Sequence, residues 1–353
     1  MVNIIALDRS ELRTSLDNRT LWKSGKPPFS LERGYWLTDN PYADDADIIA
    51  ILALENDRIV SQIEVIPAVV RTGKSTIEKK YWLRNWESFP ISDKDSNADK
   101  MGSLIYFEAI KRLNGQILVG SYTKVTEKFY ANERLFKKLR PRSIYTIFTR
   151  IPEELVMDRY SLPDFMKYPL RFANATALHL RDQYGKKVNK NRSSGIGFLP
   201  VAGFDDQNIG YIKNLMNDDF VVKDATYLNW LMDPRQYPEI NINASSKHQI
   251  TAAFVTLDNH IKGFLCYVIT GTTLSVKLAL YEPENTEIIA NALMLKYYQH
   301  KCTRLITTND NLAGILATLN PIILAHKNEK SLVAYKDVHL EQHEFVLRDG
   351  DGR

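Results

Sequence analysis

Cysteine is nearly absent from these 353 residues: there are two, Cys266 and Cys302. One lies in an apolar stretch and the other beside one, which excludes a disulfide scaffold and predicts structural thiols in a reducing compartment. No hydrophobic run approaches the length of a membrane span. The first residues carry Asp8, Arg9, Glu11 and Arg13 with no apolar core segment, so a signal peptide is not expected there and a cytoplasmic protein is. Low-complexity tracts are missing too, and so is a strong charge of one sign. A formal net charge of +4 neither argues for nucleic acid nor excludes an anionic small molecule. The basic runs at Lys137–Arg140 and Lys186–Lys190 read as solvated helix ends or loops. No nucleophile elbow, Walker loop or dinucleotide fingerprint occurs. His339 and His343 stand four apart but lack the order of a zinc-binding helix, so no metal is expected. Gly195-Ile196-Gly197 is a lone glycine pair and reads as flexible connection.

What is present is a repeat. Trp36-Leu37-Thr38-Asp39-Asn40-Pro41 is followed by an apolar run, Ile48 to Leu54, and a corner at Glu55-Asn56-Asp57. Trp230-Leu231-Met232-Asp233-Pro234 is followed by Ile250 to Leu257 and a corner at Asp258-Asn259. The tryptophans stand 194 residues apart and the corner asparagines 203. Such self-similarity predicts two domains of related fold. The expected bounds are 1–150 for the first, 151–210 for a connection with a short helix at Phe172 to Asp182, and 211–353 for the second. The two tryptophans, equivalent in the two copies, are expected to fill the same core notch.

In the first copy Ser30 reads as the N-cap of a helix from Leu31 to about Leu37. A hairpin over Ile48–Leu54 and Ile59–Val69 follows, with further strands at Thr76–Leu83 and Asn85–Phe89. After a polar stretch, Ser92 to Lys100, a helix is expected to open at Gly102 and end at Asn114-Gly115. A strand at Ile117–Val119 and a last helix from about Val125 to Leu139 complete this copy. In the second, strands at 250–257, 262–269 and 273–281 precede a helix over 287–300, a strand over 304–308, a short helix from Asn311 and a final strand, Ser331 to Tyr335.

This order of elements, with a polar loop opening a helix, resembles the GNAT acyltransferase superfamily. The segment from Pro28 to Ala43 is similar to the opening of two-domain bacterial members of unassigned substrate. The resemblance implies an α+β fold of two tandem GNAT-like domains, each a mixed, mostly antiparallel twisted sheet flanked by helices. It also implies acetyl-CoA or another acyl-CoA as co-substrate. A helix N-terminus with a small residue suits a pyrophosphate, because free N–H groups and the helix dipole meet the anion. The family's Gln/Arg-x-x-Gly-x-Gly/Ala loop falls on Asn97, Ala98, Asp99, Lys100, Met101 and Gly102, where Gly102 matches the final glycine. Ser103 continues the helix start. The strand Trp82–Pro90 resembles the one that pairs with the pantetheine arm through the backbone of Glu87, Ser88 and Phe89. By the same resemblance Glu87 is the candidate general base, and Tyr130 the acid that protonates the departing thiolate. In the second copy the loop position holds Glu282-Pro283-Glu284-Asn285-Thr286-Glu287, whose carboxylates would repel a pyrophosphate. That copy is expected to keep the fold without the cofactor site.

The sequence therefore points to an N- or O-acyltransferase acting on a small molecule or sugar, with no nucleic-acid or membrane partner. A FemABX-like aminoacyl transferase, which also pairs two such domains, and a non-catalytic binding module of this fold stand as the alternatives.

Overall fold

The computed structural model describes residues 2–22, 29–89, 98–120, 122–149, 153–192, 194–237, 248–319, 324–340 and 345–351. The chain begins with β1 (Val2–Asp8), α1 (Arg9–Asp17) and α2 (Leu31–Thr38). Strands β2 (Ile48–Glu55), β3 (Arg58–Arg71) and β4 (Ile77–Ser88) follow, then α3 (Ala98–Arg112), β5 (Ile117–Val119), α4 (Lys124–Tyr130) and β6 (Phe136–Phe148). Helices α5 (Glu153–Tyr160) and α6 (Lys167–Arg192) lead to β7 (Ile196–Pro200) and α7 (Ala225–Leu231). The order of the first half then repeats: β8 (His248–Leu257), β9 (His260–Thr270), β10 (Thr273–Tyr281), α8 (Thr286–Gln299), β11 (Arg304–Thr307), α9 (Asp310–Thr318) and β12 (Leu324–Tyr335).

All twelve strands form one sheet in the order β1-β2-β3-β4-β5-β12-β6-β11-β10-β9-β8-β7. Read from either end, five strands of one half are followed by the sixth strand of the other. β12 pairs with β5, β6 pairs with β11, and the two exchanged strands pair antiparallel along their length. The sheet is mostly antiparallel; the parallel ladders are β4 with β5 and β10 with β11. This is an α+β architecture whose halves share a sheet.

The expected hairpins form because Asn56, Asp57, Asp258 and Asn259 take the left-handed conformation that a tight corner between twisted strands requires. Ser30 caps α2 by accepting the Arg33 N–H. The two tryptophans meet in one core. Trp36 and Trp230 stack on each other, 4.3 Å apart and 9° from parallel, and each indole N–H donates to the other's carbonyl, at 3.0 and 2.8 Å. They join the halves within a core that draws on α2, α7 and residues of both half-sheets. Two further cores lie outside it, one under α3 and one under α8.

Several expectations are corrected. The helix predicted over 125–139 ends at Tyr130, and β6 begins six residues later. The strands predicted at 76–83 and 85–89 are one strand, β4, with an irregular register opposite Gln62 and Glu64 and Asn85 in a left-handed conformation. The connection holds a 26-residue helix, α6, in place of a short one, and the run Lys186–Lys190 lies within it. Gly197 belongs to β7, which pairs with β8. The run at Lys137–Arg140 lies in a strand. The stretch before Arg13 contributes β1, an edge strand paired with β2. His343 lies outside the described residues, among which no cluster suited to a metal occurs. No described helix is long and apolar enough to cross a membrane.

Candidate active site

β4 and β5 run parallel for only a short ladder, Tyr81 with Ile117 and Trp82 with Leu118. Beyond Trp82, β4 continues to Ser88 bound to β3 alone on its other side. The irregular register at Asn85 accompanies this divergence; an extra residue bends a strand and re-aims its side chains. A cavity of about 580 Å³ lies against this stretch. Leu83, Arg84, Asn85, Trp86 and Glu87 line one wall, and Tyr122 and Thr123 before α4 with Thr126 and Tyr130 within it line another. Ser275 and Lys277 of β10, Ile306 of β11 and Lys330 of β12 close it from the other half.

Glu87 and Tyr130, separated by a helix and a strand in sequence, thus face one cavity. Glu87 is half-buried, and burial, with the Glu64 carboxylate adding to it, raises its pKa above the usual glutamate value. A carboxylate held in this way is a better proton acceptor than a solvated one. Tyr130 is 6% exposed, and burial holds its phenol well above its ordinary value, so it keeps its proton throughout the neutral range. Around it Trp86, Tyr106, Phe129 and Phe136 pack edge-on or tilted, with ring centroids between 4.8 and 6.4 Å apart. This apolar wall makes the low-dielectric surroundings in which an acid and a base act strongly.

Gly102 does not open its helix. α3 begins at Ala98, and Gly102 sits one turn in, where the helix crosses β4. Its carbonyl accepts the Trp86 indole N–H at 3.0 Å, and a Cβ there would lie 2.8 Å from the Ser88 hydroxyl and 3.2 Å from the Trp86 indole nitrogen. The glycine is therefore required for close packing of α3 on β4. Met101 packs against the same core, and Ser103 follows within the helix. Lys100 lies in the first turn of α3, where a free N–H row belongs, while Asn97 falls outside the described residues. The Ser88 hydroxyl is 3.0 Å from that of Ser61. Phe89 donates its N–H to the Val60 carbonyl at 2.7 Å, so that amide is committed within the sheet.

The second half has the same divergence. β10 and β11 are paired over Thr273–Ser275, and β10 then runs on to Tyr281. Here the chain fills its own gap. Asp349 accepts the Thr307 hydroxyl at 3.0 Å and the Thr308 N–H at the end of β11, and Gly350 lies against the carbonyl of Lys277 on β10, which an added Cβ would approach to 2.7 Å. Arg142 of β6 donates to the carbonyls of Asp349 and Asp351, and Lys223 pairs with Asp351 at 3.0 Å. Asp349 and Asp351 are buried. Glu282, Glu284 and Glu287, the carboxylates that singled out this loop in the sequence, are exposed.

Sequence reasoning missed Arg84, Lys277 and Lys330. They come from three strands of both halves, and nothing in their local sequence sets them apart from solvated strand positions.

No protein-family model matches the sequence, and no curated protein matches it either. Among solved structures, the chain is similar to a GCN5-related N-acetyltransferase from Anabaena variabilis (6% identity, TM-score 0.48) and to a probable N-acyltransferase from Enterococcus faecalis (13% identity, TM-score 0.47). Each comparison covers 94% of this chain and 72% of the other. It is also similar to Eis1 from Mycobacterium abscessus, at 10% identity and a TM-score of 0.42 over 95% of this chain and 73% of that one.

Proposed function

We propose that the protein is an acyl-CoA-dependent acyltransferase of the GNAT type, with one working site in its first half. The observation that carries this reading is the asymmetry between the two strand divergences. The first stands beside a cavity lined by Glu87 and Tyr130, and the second is occupied by residues 349–350. The free edge of β4 offers backbone groups to an extended amide-bearing arm, as a sheet edge does for an added strand. Acyl-CoA supplies an activated carbonyl and a thiolate leaving group.

Glu87 takes a proton from the acceptor amine or hydroxyl as it attacks the thioester carbonyl. The new C–N or C–O bond forms as the C–S bond breaks, and Tyr130 gives its proton to the departing thiolate. Both side chains then re-equilibrate with solvent through the cavity mouth. The first turn of α3, with Lys100, is the place for the pyrophosphate. Domain roles follow: the first half binds the acyl donor, and the second supplies β12 and the far wall of the acceptor cleft.

One observation favours a second reading. α6 carries Lys167, Arg171, Arg181, Lys186, Lys187, Lys190 and Arg192 against the single carboxylate Asp182, a composition suited to a phosphate backbone. That would fit an aminoacyl-tRNA donor. Calorimetric titration of the full chain separates the two: acetyl-CoA binding at one per chain is the expected result. A stoichiometry near two would mean that the second divergence opens, and no binding to a folded protein would overturn the reading. A transfer RNA bound in place of acetyl-CoA would establish the second.

A further inference from the structure

The cavity has a charge imbalance that the acyl-transfer step does not use. Among the described residues three cationic side chains line it, Arg84, Lys277 and Lys330, against one carboxylate, Glu87. Lys330 donates to the Tyr122 carbonyl, and the Lys277 ammonium lies over the Tyr237 ring, 5.0 Å from its centroid. Among the described residues the Arg84 guanidinium has no direct hydrogen bond or salt bridge, and the charge that acts on it favourably is the Glu64 carboxylate. That carboxylate is bonded directly to another guanidinium: it accepts from two nitrogens of Arg33, at 3.1 and 2.5 Å. Burial, with Arg33 adding like charge, pushes the Arg84 pKa down to about 10 against the opposing pull of Glu64. A buried cation that shares its one counter-charge with a second guanidinium is costly, and an added anion offsets that cost.

We propose that the acceptor carries a carboxylate or phosphate group that seats on Arg84, with Lys277 and Lys330 contributing charge from the opposite half. This rests on the acyl-transfer reading for the word acceptor, but the anion site does not depend on it. Guanidinium is the group that matches these planar or tetrahedral oxyanions through paired N–H donors. Seating the anion there leaves the acceptor's amine or hydroxyl to extend along β4 toward Glu87, three residues on. The half-molecule that has lost its own cofactor gap thereby acquires a role: it supplies Lys277 and Lys330 to select the substrate of the other half.

The test uses the full chain with inorganic phosphate and with succinate as probes, in calorimetry and thermal shift at matched ionic strength set with chloride. Both probes should bind the wild type. Arg84→Met should weaken the preferred probe about tenfold or more, the scale of one charge-assisted contact, with acetyl-CoA affinity held within about twofold. The stronger of the two probes identifies the oxyanion as carboxylate or phosphate. Lys277→Gln, on the other wall, should weaken the same probe several-fold and serves if Arg84→Met does not fold. Equal probe binding by both folded variants overturns the proposal. So does parallel loss of probe and acetyl-CoA binding in Arg84→Met, which would assign the anion to the donor. A wild type that binds the probe and not acetyl-CoA leaves the anion site standing and overturns the acyl-transfer reading instead.

Discussion

At the scale of the residue, Glu87 is placed where stability and its proposed role as a base make opposite demands. Its raised pKa means that the folded state holds a proton at pH values where the unfolded chain has released one. Stability therefore falls as pH rises from the ordinary glutamate range through the folded value, and above it the buried charge is a standing cost. Catalysis needs the deprotonated form, so activity should appear as pH rises through the same interval. Glu87→Gln keeps the shape and removes the charge. Turnover should fall by about 10²- to 10⁴-fold, and the acidic limb of the rate profile should vanish. The melting temperature at neutral pH should be unchanged or higher. A variant that melts lower and retains its rate would make Glu87 a structural residue. Tyr130 has the complementary position: its phenol stays neutral, so Tyr130→Phe should lower turnover without moving that acidic limb. Both residues were singled out from their sequence positions by the family resemblance, and they line one cavity. Arg84 was not, because a charged residue in an alternating strand normally faces water. It shares its cavity with Lys277 of β10 and Lys330 of β12, strands that enter from the other half of the chain.

At the scale of the element, the errors of sequence reading have a common physical source. Apolar spacing continues past Tyr130 through Leu135, so a helix was expected to run on, and the basic residues after it hid a strand. Those residues are charged for a reason that periodicity cannot express. Lys137 donates to the Val338 carbonyl, Arg140 to that of Phe345, and Arg142 to those of Asp349 and Asp351. β6 is polar because it fastens the C-terminal segment, and its Pro141 falls before the stretch that pairs with β11. The glycine of α3 shows the converse. Gly102 was singled out as the start of the helix, and its place is within it, against Trp86 and Ser88. Gly102→Val should therefore act through packing: a branched side chain wedged between α3 and β4 should cost about 1–3 kcal/mol and displace the strand that carries Glu87. Denaturant unfolding and activity should fall together. Full stability in this variant would show that the contact is loose, and that the glycine serves a ligand instead.

At the scale of the whole molecule, the repeat was legible and its exchange of strands was not. Matching Trp-Leu-x-Asp segments announce two copies, and two copies suggest two domains that each close their own sheet. Backbone pairing decides otherwise: β12 completes the first half against β5, and β6 completes the second against β11. Sequence order alone cannot distinguish these arrangements, since each half has the same six strands in either case. The consequence is thermodynamic. Were residues 1–150 produced alone, β5 would lose its β12 neighbour, Val119 and Phe136 would lose the cover of Val333 in their shared core, and Trp36 would lose its stacking partner. An unpaired central edge beside exposed apolar surface favours aggregation over folding. The fragment should therefore be insoluble or molten by itself, and should become soluble when co-expressed with residues 194–353. The intact chain should unfold in one calorimetric transition, with equal calorimetric and van't Hoff enthalpies. Two separate transitions, or a first fragment that folds and binds acetyl-CoA unaided, would show that the exchanged strands are dispensable. In that case the far wall of the cavity would be an accessory to the first half, and Lys277 and Lys330 would no longer be tied to its folding.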